Sequence, residues 1–183
     1  VKFSVGMING DYRRYRDGVL RESGIYAKGK RNSTFTEYYQ DGVTPRKETP
    51  MQQGKIDGTV KTYFRNGKIE AEKEYKQSVE SGRERRFDSK TGEQIFESHY
   101  IDGKKDGEEW EIFEDASTLR SRIIRHYRNG KLDGSYRVES TRDGKPYITI
   151  EGQYTDGEKS GQWIEHNYDN NTQTCTWHGE GGA

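Results

Sequence analysis

Only one cysteine, Cys175, occurs in 183 residues, so the chain can form no internal disulfide and no CxxC-type metal site. Proline is almost as scarce, with three residues, and leucine is very rare. No apolar run approaches the ~18 residues of a membrane-spanning helix, and no signal peptide is visible. Net charge is zero. Nothing therefore holds the chain open by self-repulsion, and no general attraction to nucleic acid or anionic membrane follows. Phosphate-cradling and dinucleotide-binding glycine fingerprints are missing too.

What is present is charge and aromatic surface. Charged residues make up 34% of the chain against 28% hydrophobic, and the mean hydropathy is −1.27. The apolar content is concentrated in 13 tyrosines, 6 phenylalanines and 3 tryptophans. Each ring can bury about 150–250 Å², so the expected core is made of rings, not of a thick aliphatic layer. The chain begins at Val1 and not at Met; a trimmed leader or further domain is an open alternative, and so is the compartment, cytoplasm or cell envelope.

The phrase YIDGKKDG at 100–107 returns as YRNGKLDG at 127–134 and as YTDGEKSG at 154–161. Relaxed to an aromatic, two residues, Gly, often Lys, two residues and Gly, it also starts at positions 3, 26, 51 and 75, with Ser33 ending the second copy, Met51 in the aromatic slot of the third and one Gly lost from the fourth. Successive copies lie 23 to 27 residues apart, and a period near 25 held over seven copies marks a repeat architecture. Between the copies lies a second glycine phrase: YRDG at 15–18, YQDG at 39–42, FRNG at 64–67, SKTG at 89–92 and TRDG at 141–144. Asp-Gly and Asn-Gly between β-prone segments signal type I′ hairpin turns. Each unit thus reads as strand, tight turn, strand, junction turn, with the first pair of strands at 11–16 and 19–26.

The expected fold is all-β: an elongated, twisted, single-layer antiparallel meander of about seven β-hairpin repeats of ~25 residues. Connections are too short for a crossover. One repeat domain is expected over 1–178, with repeats at 3–25, 26–50, 51–74, 75–99, 100–126, 127–153 and 154–178, then a disordered tail at 179–183. Gly29, Gly42, Gly54, Gly58, Gly67, Gly103, Gly107, Gly130, Gly134, Gly157 and Gly161 are the structural turn glycines. Two irregularities stand out. Residues Asp115 to Thr118 replace a hairpin tip with a longer loop, and Pro45 and Pro50 predict a frayed or bulged strand.

The unit resembles the MORN repeat family, and more closely its bacterial variant that serves as an antitoxin component of toxin–antitoxin systems. The resemblance rests on Tyr38-Tyr39, on Asn66-Gly67-Lys68 and on Gly54-Lys55-Ile56-Asp57-Gly58, and it covers nearly the whole chain. Two features depart from standard MORN repeats. The Trp expected two residues after the junction Gly survives only as Trp163, with Tyr12, Phe35, Val60 and Tyr136 elsewhere, and the second glycine pair of each unit is missing. The resemblance implies a non-enzymatic scaffold for protein contacts, with a toxin as the partner it would neutralise; the departures count against a membrane role.

No residue pattern requires a catalyst, a cofactor or a metal. His99 and His126 fill equivalent slots of successive units, which puts them about 10 Å apart, too far to share an ion. Cys175 and His178 lack an oxyanion hole and an orienting third group. In the basic run GRERRF at 82–87, Arg83 and Arg85 are expected opposite Glu74 and Glu72 as cross-strand pairs. The cluster Arg120, Arg122 and Arg125, with Arg128, has fewer acidic neighbours and is the better candidate for an anionic partner. Consecutive rings at Tyr38-Tyr39 and Tyr63-Phe64 must point to opposite faces. Together with Trp110 and Trp163, these residues and the three arginines form the candidate interaction surface, the aromatic and Arg composition that interfaces favour. A protein partner is therefore expected, and nucleic acid is not. The alternative is a carbohydrate- or cell-wall-binding module using exposed rings. The sequence leaves the oligomeric state open.

Overall fold

The computed structural model describes residues 2–4, 6–114, 120–142, 144–167 and 171–179. The expected loop at 115–118, and residues 180–183 of the expected tail, lie outside them. The chain packs as two compact units, residues 1–94 and 95–183. Both are built of strands alone among the described residues.

The first unit holds β1 (Lys2–Ser4), β2 (Met7–Arg16), β3 (Val19–Ala27), β4 (Lys30–Arg31) and β5 (Thr34–Tyr38), followed by β6 (Pro45–Gln52), β7 (Lys55–Ile56), β8 (Gly58–Tyr63), β9 (Ile69–Lys76) and β10 (Val79–Phe87). Every pairing is antiparallel and joins neighbours along the chain: β1 with β2, β2 with β3, β3 with β4 and β5, then β5 with β6, β6 with β7 and β8, β8 with β9, and β9 with β10.

The second unit repeats the plan with β11 (Gln94–Ile101), β12 (Lys104–Lys105), β13 (Gly107–Glu114) and β14 (Arg120–Arg128), then β15 (Lys131–Arg142), β16 (Lys145–Thr155), β17 (Glu158–Asn167) and β18 (Thr172–His178). Here too each strand pairs with its neighbours in order. The hairpin meander predicted from the repeat is the fold.

The turns depart from expectation in an informative way. All eleven turn glycines have positive φ. The pattern with φ > 0 at both central residues, however, belongs chiefly to the junctions: Lys28-Gly29, Gln53-Gly54, Gln77-Ser78, Asp102-Gly103, Asn129-Gly130 and Asp156-Gly157. That is the type I′ signature. The junction is therefore a two-residue hairpin turn, and strands run into it from both sides, so β2 starts at Met7 and not at residue 11. Among the fully described tips only Asp17-Gly18 keeps the double-positive pattern. Gly67 is left-handed alone, and its N–H bonds the Phe64 carbonyl at 2.9 Å while Phe64 N–H bonds Lys68 O at 2.9 Å. This is a three-residue loop closed by a left-handed glycine.

Successive junctions are also tied to one another. The second turn residue donates its N–H to a carbonyl one repeat earlier: Gly29 to Ile8 (3.0 Å), Gly54 to Arg31 (2.8 Å), Ser78 to Ile56 (2.7 Å), Gly130 to Lys105 (2.7 Å) and Gly157 to Leu132 (2.8 Å). The first turn residue is held by the Asn or Asp next to the end of the previous phrase. Asn9 Oδ1 accepts from Lys28 N–H at 2.6 Å, Asn32 Oδ1 from Gln53 N–H at 3.2 Å, and Asp106 Oδ2 from Asn129 N–H at 3.0 Å. The D/N before the last glycine is thus a cap on the next turn. Where Ser78 replaces the junction glycine, its Oγ accepts from Ile56 N–H at 3.0 Å, which offsets its left-handed φ of 71°.

A bulge recurs on the second strand of several hairpins, close to the tip. Arg21 is skipped between β2 and β3, Arg46 between β5 and β6, Glu70 between β8 and β9, and Thr149 between β15 and β16. The bulge expected near Pro45 is present, but it belongs to the repeat and not to the proline.

Candidate functional site

Side chains paired across antiparallel strands share a face, and in each unit the buried residues fall on one face. In the first unit they are Glu22, Phe35, Val60 and Glu84; in the second, Phe96, Ser98, Glu109, Ser121, Val138, Ser140 and Trp163. Tyr12, Tyr26 and Phe35 form one ring cluster, with centroids 5.4 to 5.9 Å apart. Tyr136, Tyr154 and Trp163 form its counterpart, at 5.2 to 5.7 Å.

Two glycines missing from the turn set make these clusters possible. An added Cβ would meet the Phe35 ring at 2.7 Å from Gly24 and the Trp163 ring at 2.3 Å from Gly152. Each ring lies flat on a strand that has no side chain there, and a cation covers it: Arg31 lies 4.3 Å from the Phe35 centroid and Lys159 4.0 Å from that of Trp163.

In the middle repeats a carboxylate takes the ring's place. Glu84 meets Lys73 at 3.0 Å and Arg86 at 3.0 Å. Glu109 is bonded by Lys105, meets Arg125 at 3.4 Å and accepts the Tyr127 hydroxyl at 3.4 Å. Burial, followed by the Glu109 charge, pushes the Tyr127 phenol up from its ordinary value.

The opposite face of the first unit is a polar network. Tyr38 and Ser23 hydroxyls are 3.0 Å apart, Tyr63 donates to Glu48 at 2.6 Å, and Glu72 takes Lys61 at 3.5 Å and Arg85 at 2.8 Å. Arg85 stands opposite Glu72 as expected, and Arg83 N–H bonds Glu74 at 3.1 Å. Desolvation and the Glu48 bond push Tyr63 up to about 12.

The candidate residues of the second unit do not share one face. Trp163 is in the core, whereas Trp110 lies on the other face of its sheet with the Arg122 guanidinium 4.6 Å above it. The arginine cluster divides. Arg125 is on the core side, bound to Glu109 and to Glu111 at 3.1 Å, while Arg120 and Arg122 line a concavity of about 260 Å³ with Ile112, Glu139 and Pro146. Phe64 is half-buried, and its backbone closes the tip turn. Cys175 and His178 point to opposite faces of β18, so they are not a nucleophile–base pair. His99 and His126 bond the Glu108 and Ser135 carbonyls, each at 3.2 Å. Among the described residues no three His, Cys, Asp or Glu side chains converge as metal ligands.

A second and larger concavity, about 680 Å³, lies at the hairpin tips of the first unit. Arg14, Arg16, Arg21, Arg46 and Arg65 line it together with Tyr38 and Tyr39, against two carboxylates, Asp17 and Glu37. Arg14 is engaged with Glu22 at 3.3 Å, Arg16 lies 3.9 Å from Asp17, and Arg46 pairs with Glu37. The other two arginines hold Tyr39 between them. Arg21 donates to its carbonyl at 3.2 Å, and Arg65 lies 5.6 Å from its ring centroid. Among the described residues neither has a carboxylate within ion-pair distance. Sequence reasoning caught the two tyrosines but missed the arginines. Asp41 is set in the adjoining tip turn, its carboxyl held below the usual range first by the Thr44 hydroxyl and then by the Val43 and Thr44 N–H groups.

No model of a known protein family matches the chain, and no curated protein matches it.

Proposed function

We propose that the chain is a non-enzymatic repeat scaffold that binds a protein partner, and that the partner, as the resemblance to the antitoxin variant of MORN proteins implies, is a toxin neutralised by occlusion. The observation that carries the reading is the first unit's concavity. Two tyrosines sit there among five arginines, two of which lack carboxylate partners. Tyr and Arg are the residues that anchor protein interfaces, because they bring large contact area and multiple donors. A stable complex would cover about 800 Å² on each partner, more than the concavity alone provides, so the surrounding hairpin tips would contribute.

A carbohydrate module needs a row of rings open to solvent. The ring clusters here cover one another and carry Arg31 and Lys159 as lids. Among the described residues the exposed rings, Tyr15, Phe113 and Trp177, come from different repeats and belong to neither cluster, which favours the protein reading. Capture from source-organism lysate with the purified chain as bait, read by mass spectrometry, tests it. One protein recovered at fixed stoichiometry is expected. Recovery of none, with binding to a glycan or cell-wall panel, would overturn the scaffold reading.

A further inference from the structure

We infer that the concavity of the first unit receives an acidic segment of the partner, whose carboxylates meet Arg21 and Arg65. The inference rests on the scaffold reading and names the chemistry of its contact.

Of the five arginines in the concavity, Arg14, Arg16 and Arg46 face Glu22, Asp17 and Glu37, which leaves Arg21 and Arg65 as a surplus of two cations. Asp41, in the adjoining turn, feels the Arg65 charge and offsets part of it. Arg21, Arg46 and Arg65 come from three successive hairpins. Arg21 and Arg46 are the skipped residues of equivalent bulges, and Arg65 opens the next tip turn. A bulge re-aims its side chain out of the strand's alternation. The third hairpin carries Glu70 at the equivalent bulge and contributes Arg65 from its tip turn instead.

The two unpaired cations call for anionic groups, and both lie against Tyr39. Arginine forks take carboxylates bidentately, and Tyr38 and Tyr39 offer ring surface to the segment between them. Glu37 and Asp17 in the lining count against a compact dianion, while leaving Arg21 and Arg65 as the two cations that an incoming carboxylate would meet unpaired.

The test uses the full chain and a fluorescein-labelled peptide, (Gly-Gly-Glu)4, with (Gly-Gly-Gln)4 as comparator, followed by fluorescence anisotropy. The Glu peptide should bind, weaken steeply between 50 and 300 mM salt, and lose at least tenfold in affinity to the Arg21→Gln/Arg65→Gln variant. The Gln peptide should not bind, and Arg128→Gln, in the other unit, should behave as the parent chain. The glutamine variants keep side-chain length and hydrogen bonding, and an unchanged melting temperature certifies their fold. Failure of the Glu peptide to bind, equal binding of both peptides, or indifference to the double variant overturns the inference. So does a Glu peptide that fails while anionic vesicles bind through the same arginines. If a partner captured at fixed stoichiometry is held equally by the parent chain and the double variant, the acidic-segment inference fails and the scaffold reading stands. If no partner is captured, the scaffold reading itself fails.

Discussion

Phe35 in the first unit and Glu109 in the second occupy the same place in the repeat, two residues past the end of the junction phrase, and each is 1% exposed. One is an aromatic ring and the other a carboxylate. The register buries this slot in five of the seven repeats, with Phe35, Val60, Glu84, Glu109 or Trp163 in it, and leaves Tyr12 and Tyr136 half-buried; the rest of the repeat adapts. Four residues earlier stand Arg31 and Lys105. The first lies over a ring and the second binds a carboxylate. The other repeats follow the same pairing: Lys159 with Trp163, Leu132 with Tyr136, Ile56 with Val60, and Glu80 with Glu84, the last two bridged by Lys73 at 2.7 and 3.0 Å. On the strand beside the slot, Gly24 and Gly152 make room for Phe35 and Trp163.

This comparison can be broken by removing the filler. Phe35→Ala and Trp163→Ala should each cost about 3–5 kcal/mol in denaturant unfolding, since a buried ring leaves a cavity the sheet cannot close. Glu109→Ala should cost about 2–3 kcal/mol, because Lys105 and Arg125 lose the carboxylate that neutralises them. The double change Lys105→Leu with Glu109→Tyr copies the Leu132–Tyr136 pair and should recover most of that loss. A double variant no more stable than Glu109→Ala would show that the slots are not interchangeable.

Gly152→Ala sharpens the same point from below the ring. Its Cβ would stand 2.3 Å from Trp163, so about 1–3 kcal/mol of overpacking is expected, with a shift in Trp fluorescence. The smallest effect should come from Asp106→Ala. It removes one cap on the Asn129 turn, worth about 0.5–1.5 kcal/mol, and faster amide exchange should appear at Asn129.

The repeat, the hairpins and their order were legible because turn chemistry and a 25-residue period are local signals. The pairing of Glu72 with Arg85 was legible too, since it needs only strand alternation across one turn. Three features were not. Gly24 and Gly152 look like surplus strand glycines until a ring is placed on them. Glu84 and Glu109 read as surface charge because nothing in a strongly charged strand marks which carboxylate the register buries. The arginine concavity escaped because Arg21 and Arg46 sit at bulges, where counting alternate residues assigns the wrong direction. Alternation failed in the other unit for a different reason. Arg122 and Arg125 are three residues apart in one strand and therefore belong to opposite faces, so the cluster read from the sequence is divided by the sheet.

The two units also use their arginines differently. In the second, Arg125 serves the core and Arg122 covers Trp110. In the first, Arg21 and Arg65 flank Tyr39 with no carboxylate at ion-pair distance among the described residues. Binding should therefore be concentrated in the first unit. The most direct measurement is parallel capture of the partner by the parent chain, by Arg21→Gln/Arg65→Gln and by Arg120→Gln/Arg122→Gln, all three matched in melting temperature. Loss of stoichiometric capture with the first pair and retention with the second is the predicted result; the reverse pattern, or capture by neither variant nor parent, would contradict it.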